Sequence, residues 1–376
     1  MQTNFRLNRS VKNKSSLTSL LASTIGALVF ACGLAAQAGF FVGPSAPFGP
    51  IVVNRLIVMP DPAGHIDWIN SISDARISVH MTMYHLTDPA VIKALIDKAQ
   101  DKSVDVRILV DGKSLVGGYA KAIQTLIDAG VQVKGSSPAF SLTHSKDMVI
   151  DGNFAFIGAI DMTNTATRMR DFAIVTTDHA MVSEIESVFA IDWNNAQSGA
   201  ANTPPVNNPN LAWSPTNSAG QLAQLINSAR ATLVAETENF NNTDIINALN
   251  AAAARGVKVR LIVPECSYGN ADLNYKGTAL LRGVAVHMEH DGGTVAQPYL
   301  HSKMMMVDGQ TVYLGSINFS FNSILNDREL GAIFQDQASA QRLAREFELD
   351  WNRSQLPASS AAACTPSVVT SPTVTQ

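Results

Sequence analysis

The chain has 376 residues, 46% hydrophobic and 15% charged, a balance that builds packed cores and reads as a globular rather than a disordered protein. Its 27 Lys and Arg against 31 Asp and Glu give a net charge of −4, without the basic surplus that nucleic-acid binders use to displace counterions from phosphates. None of the three cysteines stands at metal-type spacing from a histidine, so nothing in the sequence asks for a metal or another cofactor.

Arg6, Arg9, Lys12 and Lys14 precede Leu17–Ala38, a stretch without charge that ends in Ala36-Gln37-Ala38. A basic start, an apolar middle and small residues at a cleavage point read as an export signal over residues 1–38, which implies a secreted or periplasmic protein. The rival reading is an uncleaved anchor, because the 22 uncharged residues can span a bilayer. Removing the segment takes four cations and no carboxylate, so the net charge moves from −4 to −8. Cys266 and Cys364 then remain, either joined or as two free thiols. Gly39–Pro50, with three prolines, reads as a loose lead-in.

A first half follows over residues 51–197. Asp88-Pro89 supplies a capping side chain and a first-turn proline, and Val91, Ile92, Leu95, Ile96 and Ala99 recur at helical spacing. The β-branched run Val104–Val110 reads as a buried strand. Lys121–Ala129 reads as a second helix, closed by Gly130. The half ends on Phe189-Ala190-Ile191-Asp192-Trp193-Asn194. Ser198–Asn210, rich in Asn, Pro, Ala and Gly and lacking charge, is a linker by composition.

The same features return over residues 211–353. Ala229-Arg230-Ala231-Thr232-Leu233 answers Ala75-Arg76-Ile77-Ser78-Val79, and a helix follows Thr243-Asp244. Val257–Val263 matches Val104–Val110, Gly283–Val286 matches Gly130–Val133, and Phe347–Asn352 repeats the earlier ending. Residues 357–376 hold no charge and read as a disordered tail. Alternating strands and helices make each half an α/β layer structure, so the expected fold class is α/β, in two similar halves.

Inside the repeat lies a shared phrase. His144-Ser145-Lys146 is followed by Asp151 and Gly158, and His301-Ser302-Lys303 by Asp308 and Gly315, 157 residues on. A single His-x-Lys is most often an ordinary surface strand, but two at one offset within repeated surroundings mark a duplicated half-site. Lys146–Ile150 and Lys303–Val307 read as strands, on which positions i and i+2 face the same way, so each histidine points with its lysine. Halves packed about a two-fold axis gather two of each. Lysines suit the non-bridging oxygens of a phosphodiester. One neutral histidine can attack phosphorus, and a protonated one can give its proton to the leaving oxygen. With both histidines in one chain, a monomer completes the site.

The sequence resembles the phospholipase D superfamily, whose signature is H-x-K-x4-D-x6-G-S-x-N. The resemblance covers nearly all of residues 51–353, and the second copy matches fully at His301, Lys303, Asp308, Gly315, Ser316 and Asn318. It implies an α/β/α fold, a phosphohistidine intermediate, no metal, and a later acid supporting the histidine, which Glu329 fits. The catalytic set implied is His144, Lys146, Asp151, His301, Lys303, Asp308 and Glu329, with the first-half histidine as nucleophile. Asn318, Ser316, Asp161 and Asp171 are implied at the substrate, with Asp171 the counterpart of Glu329. The first copy departs from the pattern, with Ala159 for serine, Asp161 for asparagine and Asp171 for glutamate. An ionised aspartate accepts only and repels phosphate, so Asp161 is protonated, points elsewhere, or leaves this half with a weaker phosphate contact. Asp151 and Asp308 either hold turns or orient histidine, and Gly158 and Gly315 read as backbone requirements. The other histidines are assigned structural or surface roles, with one of His80 and His85 open to a pocket.

The expected function is a phospholipase D-like phosphodiesterase hydrolysing phosphatidylcholine-type headgroup bonds, with phospholipid as partner and contact with a membrane surface. The alternatives are a nuclease, which predicts a basic groove across both motifs, and a phosphatidyl transferase of cardiolipin-synthase type. From another class, Ala159 and Asp161 raise an inactive phosphate-binding protein.

Overall fold

The computed structural model describes residues 48–267, 271–290 and 293–357. The expected export segment, the tail beyond Pro357 and Cys364 lie outside the described residues; Cys266 is disulfide-bonded.

In chain order the first half comprises β1 (Val53–Met59), α1 (Ile66–Asp74), β2 (Ser78–Met83), α2 (Pro89–Gln100), β3 (Asp105–Val110), α3 (Ala120–Asp128), β4 (Gln132–Gly135), β5 (Lys146–Ile150), β6 (Phe154–Gly158), β7 (Met169–Thr176) and α4 (His179–Asn195). The second comprises β8 (Leu211–Ser214), α5 (Ser218–Ser228), β9 (Thr232–Thr237), α6 (Thr243–Ala254), β10 (Lys258–Pro264), α7 (Ala271–Thr278), β11 (Ala285–Glu289), β12 (Tyr299–Leu300), β13 (Lys303–Val307), β14 (Thr311–Gly315), α8 (Phe321–Leu325), β15 (Glu329–Gln335) and α9 (Gln337–Arg353). One sheet runs β1-β7-β6-β5-β2-β3-β4 and the other β8-β15-β14-β13-β9-β10-β11. These are one path traced twice, so the duplication read in the sequence is a duplication of topology. In both sheets the motif strand is central, antiparallel to its neighbours on either side.

Local chemistry explains the elements that carry the site. Asp88 accepts from the N–H groups of Ala90 and Val91 to start α2, and Asn242 does the same for α6 from Asp244 and Ile245. Each helix turns an apolar face to its sheet, with Val91 and Leu95 buried in α2 and Ile245 and Leu249 in α6. Burying each such side chain stabilises the fold by roughly 1.5–3 kcal/mol. Gly158 and Gly315 end β6 and β14 where the next strand comes too close for a side chain. A Cβ there would lie 2.4 Å from the Ala173 Cβ and 2.3 Å from the Gly331 Cα.

The halves share a core. A cluster containing Val149, Ile157 and Ile174 of the first sheet also contains Met304, Val312 and Leu314 of the second, with Ile185 of α4 and Leu343 of α9. Strand pairing crosses the same boundary: β12 runs parallel to β7, and Thr143 bridges to Arg328. Residues 198–210 form neither helix nor strand.

Candidate active site

The site is assembled by these crossings. His144 and His301 each stand two residues before the lysine that opens β5 or β13. The N–H of His144 donates to the carbonyl of Arg328 (2.9 Å), and that of His301 to the carbonyl of Arg170 (3.2 Å). The residue after each arginine is an acid, so the crossing sets it against the ring. His144 Nδ1 lies 2.9 Å from Glu329 Oε2, and His301 Nδ1 lies 2.9 Å from Asp171 Oδ2. The acid of each half therefore serves the histidine of the other. Sequence reasoning identified both acids but not this exchange.

The arginines are held in turn by the repeated Asp-Trp-Asn endings. Arg328 pairs with Asp192 (2.8 Å) and Arg170 with Asp350 (2.7 Å), again across the halves and buried. Trp193 and Trp351 flank these aspartates, stacking on Phe189 and Phe347.

Each lysine folds back on its own motif. Lys146 Nζ donates to the His144 carbonyl at 2.6 Å, and Lys303 Nζ to that of His301. Each also has a carboxylate. Asp161 Oδ1 lies 3.8 Å from Lys146 Nζ, and Glu238 Oε2 lies 3.1 Å from Lys303 Nζ and 3.6 Å from His301 Nε2. Tyr299 O–H donates to the other oxygen of Glu238 (3.1 Å). Tyr84 takes the place of Glu238 in the first half: both follow the end of the matching strand, four residues before the helix caps Asp88 and Asn242. Its ring centre lies 4.8 Å from Lys146 Nζ and 4.6 Å from the His144 ring.

Burial and the Lys146 and Lys303 charges hold His144 well below the ordinary histidine range. It is neutral, and with Nδ1–H given to Glu329 its Nε2 keeps a lone pair. Burial pushes Glu329 up to about 7 against the pull of Lys146. Burial is the largest single influence on Asp161 and Glu238 and works to raise both, but their neighbours together, led by Lys146 and Lys303 respectively, outweigh it and hold both carboxylates below their usual values. Asp161 is therefore ionised. It points at Lys146 and at His85, whose N–H donates to it at 3.2 Å.

A cleft of about 730 Å³ opens over the centre. Its wall includes His144, Tyr84, Glu238 and Asn318, flanked by Tyr119 and Phe321, and no lysine or arginine lines it among the described residues. The basic groove expected of a nuclease is missing from this wall. Asn318 turns its amide oxygen to Thr237 Oγ1 (3.3 Å) and the Asn239 N–H (3.0 Å), which leaves its NH2 for the cleft.

Three expected site residues stand elsewhere. Asp151 and Asp308 lie at the far ends of β5 and β13, roughly 16 Å from the lysines at about 3.3 Å per residue. Their carboxylates accept from the N–H groups of Arg76, Ile77 and Ser78 and of Arg230, Ala231 and Thr232, so they hold turns and do not orient histidine. Ser316 is fully buried and exchanges hydrogen bonds with the backbone of Leu330, so it braces β15 and does not touch the cleft. Asp171 is fully buried against His301 Nδ1 and does not line the cleft. His85 lines the cleft, whereas His80 pairs with Glu186 at 2.8 Å. Glu238 was not foreseen; its only signal was its alignment with Tyr84 in the repeat.

The family model "Cardiolipin synthase, PLD-like domain" matches residues 68–193 and 222–351. "Probable cardiolipin synthase YwiE" of Bacillus subtilis (strain 168) is 25% identical over 77% of this chain and 64% of its own length. "Cardiolipin synthase 2" of Bacillus cereus is 26% identical over 76% of this chain and 62% of its own. The chain thus spans somewhat under two thirds of these relatives. Among solved structures, phosphatidylserine synthase of Haemophilus influenzae superposes with a TM-score of 0.63 at 15% identity, covering 82% of this chain and 89% of that one, a likeness of fold. With the motif duplicated in sequence and topology and the family model matching both halves, the chain belongs to the phospholipase D superfamily, in the family of the cardiolipin synthase PLD-like domain.

Proposed function

We propose that the chain moves phosphatidyl groups between alcohols, in the manner the relatives' name of cardiolipin synthase implies, instead of hydrolysing phosphatidylcholine-type lipids as the sequence alone led us to expect. Cardiolipin carries two phosphatidyl groups on one glycerol, so its formation requires transfer of a phosphatidyl group to a lipid hydroxyl. The observation that carries a two-step transfer is the neutral His144 in the cleft wall, with the buried second histidine, His301, close enough for its charge to act on it. The Nε2 of His144 attacks phosphorus, and the bond to the leaving alkoxide breaks as His301 donates a proton to that oxygen. His301 then takes the proton of the incoming hydroxyl, whose oxygen attacks phosphorus and breaks the P–N bond. Lys146 and Lys303, buried behind the cleft wall, supply positive charge toward the non-bridging oxygens, and the Asn318 amide on the wall meets them. The amide and hydroxyl groups of Asn239, Asn241, Ser320 and Asn322 along the cleft favour a hydroxylated headgroup over a polyanion.

The test is incubation of the full chain with phosphatidylglycerol vesicles, following lipid products and free glycerol. Cardiolipin and glycerol should appear together, and both should fall by at least about 10³-fold in His144→Ala and in His301→Ala. Phosphatidate in place of cardiolipin would return the reading to hydrolysis, and no turnover of any phospholipid would sink it.

A further inference from the structure

Both lysines of the centre are compensated, and by different positions. Two positions of the centre correspond between the halves: the residue after β2 or β9 (Tyr84, Glu238) and the third residue after the motif glycine (Asp161, Asn318). In each half one is acidic and the other neutral. The first half puts its carboxylate at Asp161, 3.8 Å from Lys146, and an aromatic ring at Tyr84. The second half puts its carboxylate at Glu238, 3.1 Å from Lys303, and an amide at Asn318. The departure of Asp161 from the superfamily signature is thus matched by an acid from another element, and both halves end with one carboxylate per lysine. Glu238 is the more intimate of the two. Its Oε2 lies between Lys303 Nζ and His301 Nε2, the atoms that would hold a phosphate oxygen and the leaving group, and both residues are buried with it.

We propose that Asp161 and Glu238 set the charge specificity of the centre, fitting it to the monoanionic phosphate of a diester and rejecting the dianion of a phosphomonoester or of free phosphate. A phosphodiester carries one charge, whereas a monoester or inorganic phosphate carries about −1.5 to −2 near neutral pH. Each buried carboxylate repels the ligand in proportion to that charge, so in the logarithm of affinity its cost to a dianion is twice its cost to a monoanion. A centre with uncompensated lysines would hold the dianion more tightly. A centre so compensated releases phosphomonoesters and free phosphate and stays open to diesters. The proposal rests on the centre's being a phosphodiester site but not on the acceptor alcohol.

The experiment is calorimetric titration at pH 8 of the full chain with inorganic phosphate and, separately, with dimethyl phosphate, which carries the single charge of a diester. Glu238→Gln keeps the length of the side chain and an acceptor for Tyr299, and Asp161→Asn serves as an independent second variant should the first fail to fold. Each variant should tighten inorganic phosphate at least ten-fold, about 1.4 kcal/mol. Dimethyl phosphate should tighten only by roughly the square root of that factor, about three-fold. Equal changes for the two ligands, weaker binding of both, or no detectable phosphate binding in wild type and variants alike would overturn the proposal. No turnover enters the measurement, so its failure is separable from failure of the transfer reading.

Discussion

At the scale of residues, acids keep their function while changing position. The serine of each motif donates to a buried carboxyl: Ser145 to Asp147 (3.0 Å) and Ser302 to Glu236 (2.6 Å). Asp147 lies on β5 opposite Thr82 of β2, whereas Glu236 lies on β9 opposite Met304 of β13, so the acid has moved to the neighbouring strand. Burial pushes Glu236 from the ordinary 4.5 up to about 7, only partly offset by Ser302. The unfolded chain releases this proton first as pH rises. Stability owed to the protonated group is therefore full below 4.5 and is lost as pH climbs through about 7, on the order of 3 kcal/mol in all. Glu236→Gln keeps the bond from Ser302 and removes this dependence. Urea unfolding at pH 4.5 and pH 8 should show the wild type losing about 3 kcal/mol relative to the variant, and a constant difference would contradict the assignment. The same mobility of acids decides what was legible. His144, Lys146, His301 and Lys303 could be read because strand geometry fixes their spacing. Glu238 could not, because the repeat shows tyrosine at its position and its partners lie 63 and 65 residues further along the chain.

At the scale of elements, what the sequence predicted best are those whose logic is local. The cap and apolar spacing of α2 and the strand β5 running from Lys146 to Ile150 are where expected. What escaped is pairing between halves. The two-residue strand β12 exists only because β7 lies beside it, and no periodicity in Tyr299–Leu300 announces that. The same crossing gives the Asp-Trp-Asn endings their role, since Asp192 holds Arg328 and so fixes the backbone that carries Glu329 to His144. Arg328→Ala leaves Asp192 buried without its cation, which should destabilise the protein by about 3–5 kcal/mol. Removing both partners in Arg328→Ala with Asp192→Ala should restore part of that. Thermal unfolding of the single and double variants measures the difference, and a double variant no better than the single would show that the pair is not the unit.

At the scale of the whole molecule, one cluster of buried side chains joins the two sheets. The halves are equivalent in strand order yet unequal in chemistry. His144 is held neutral against Glu329 beside the Tyr84 ring, while His301 stands between Asp171 and Glu238. One composite centre with one nucleophile is the central claim. The most direct test is an alkaline quench of the full chain during turnover of phosphatidylglycerol, followed by mass spectrometry of its peptides. The account predicts a single phosphatidyl group per chain, attached to His144 and absent from His144→Ala. Attachment to His301, or to both histidines of one chain, would contradict it.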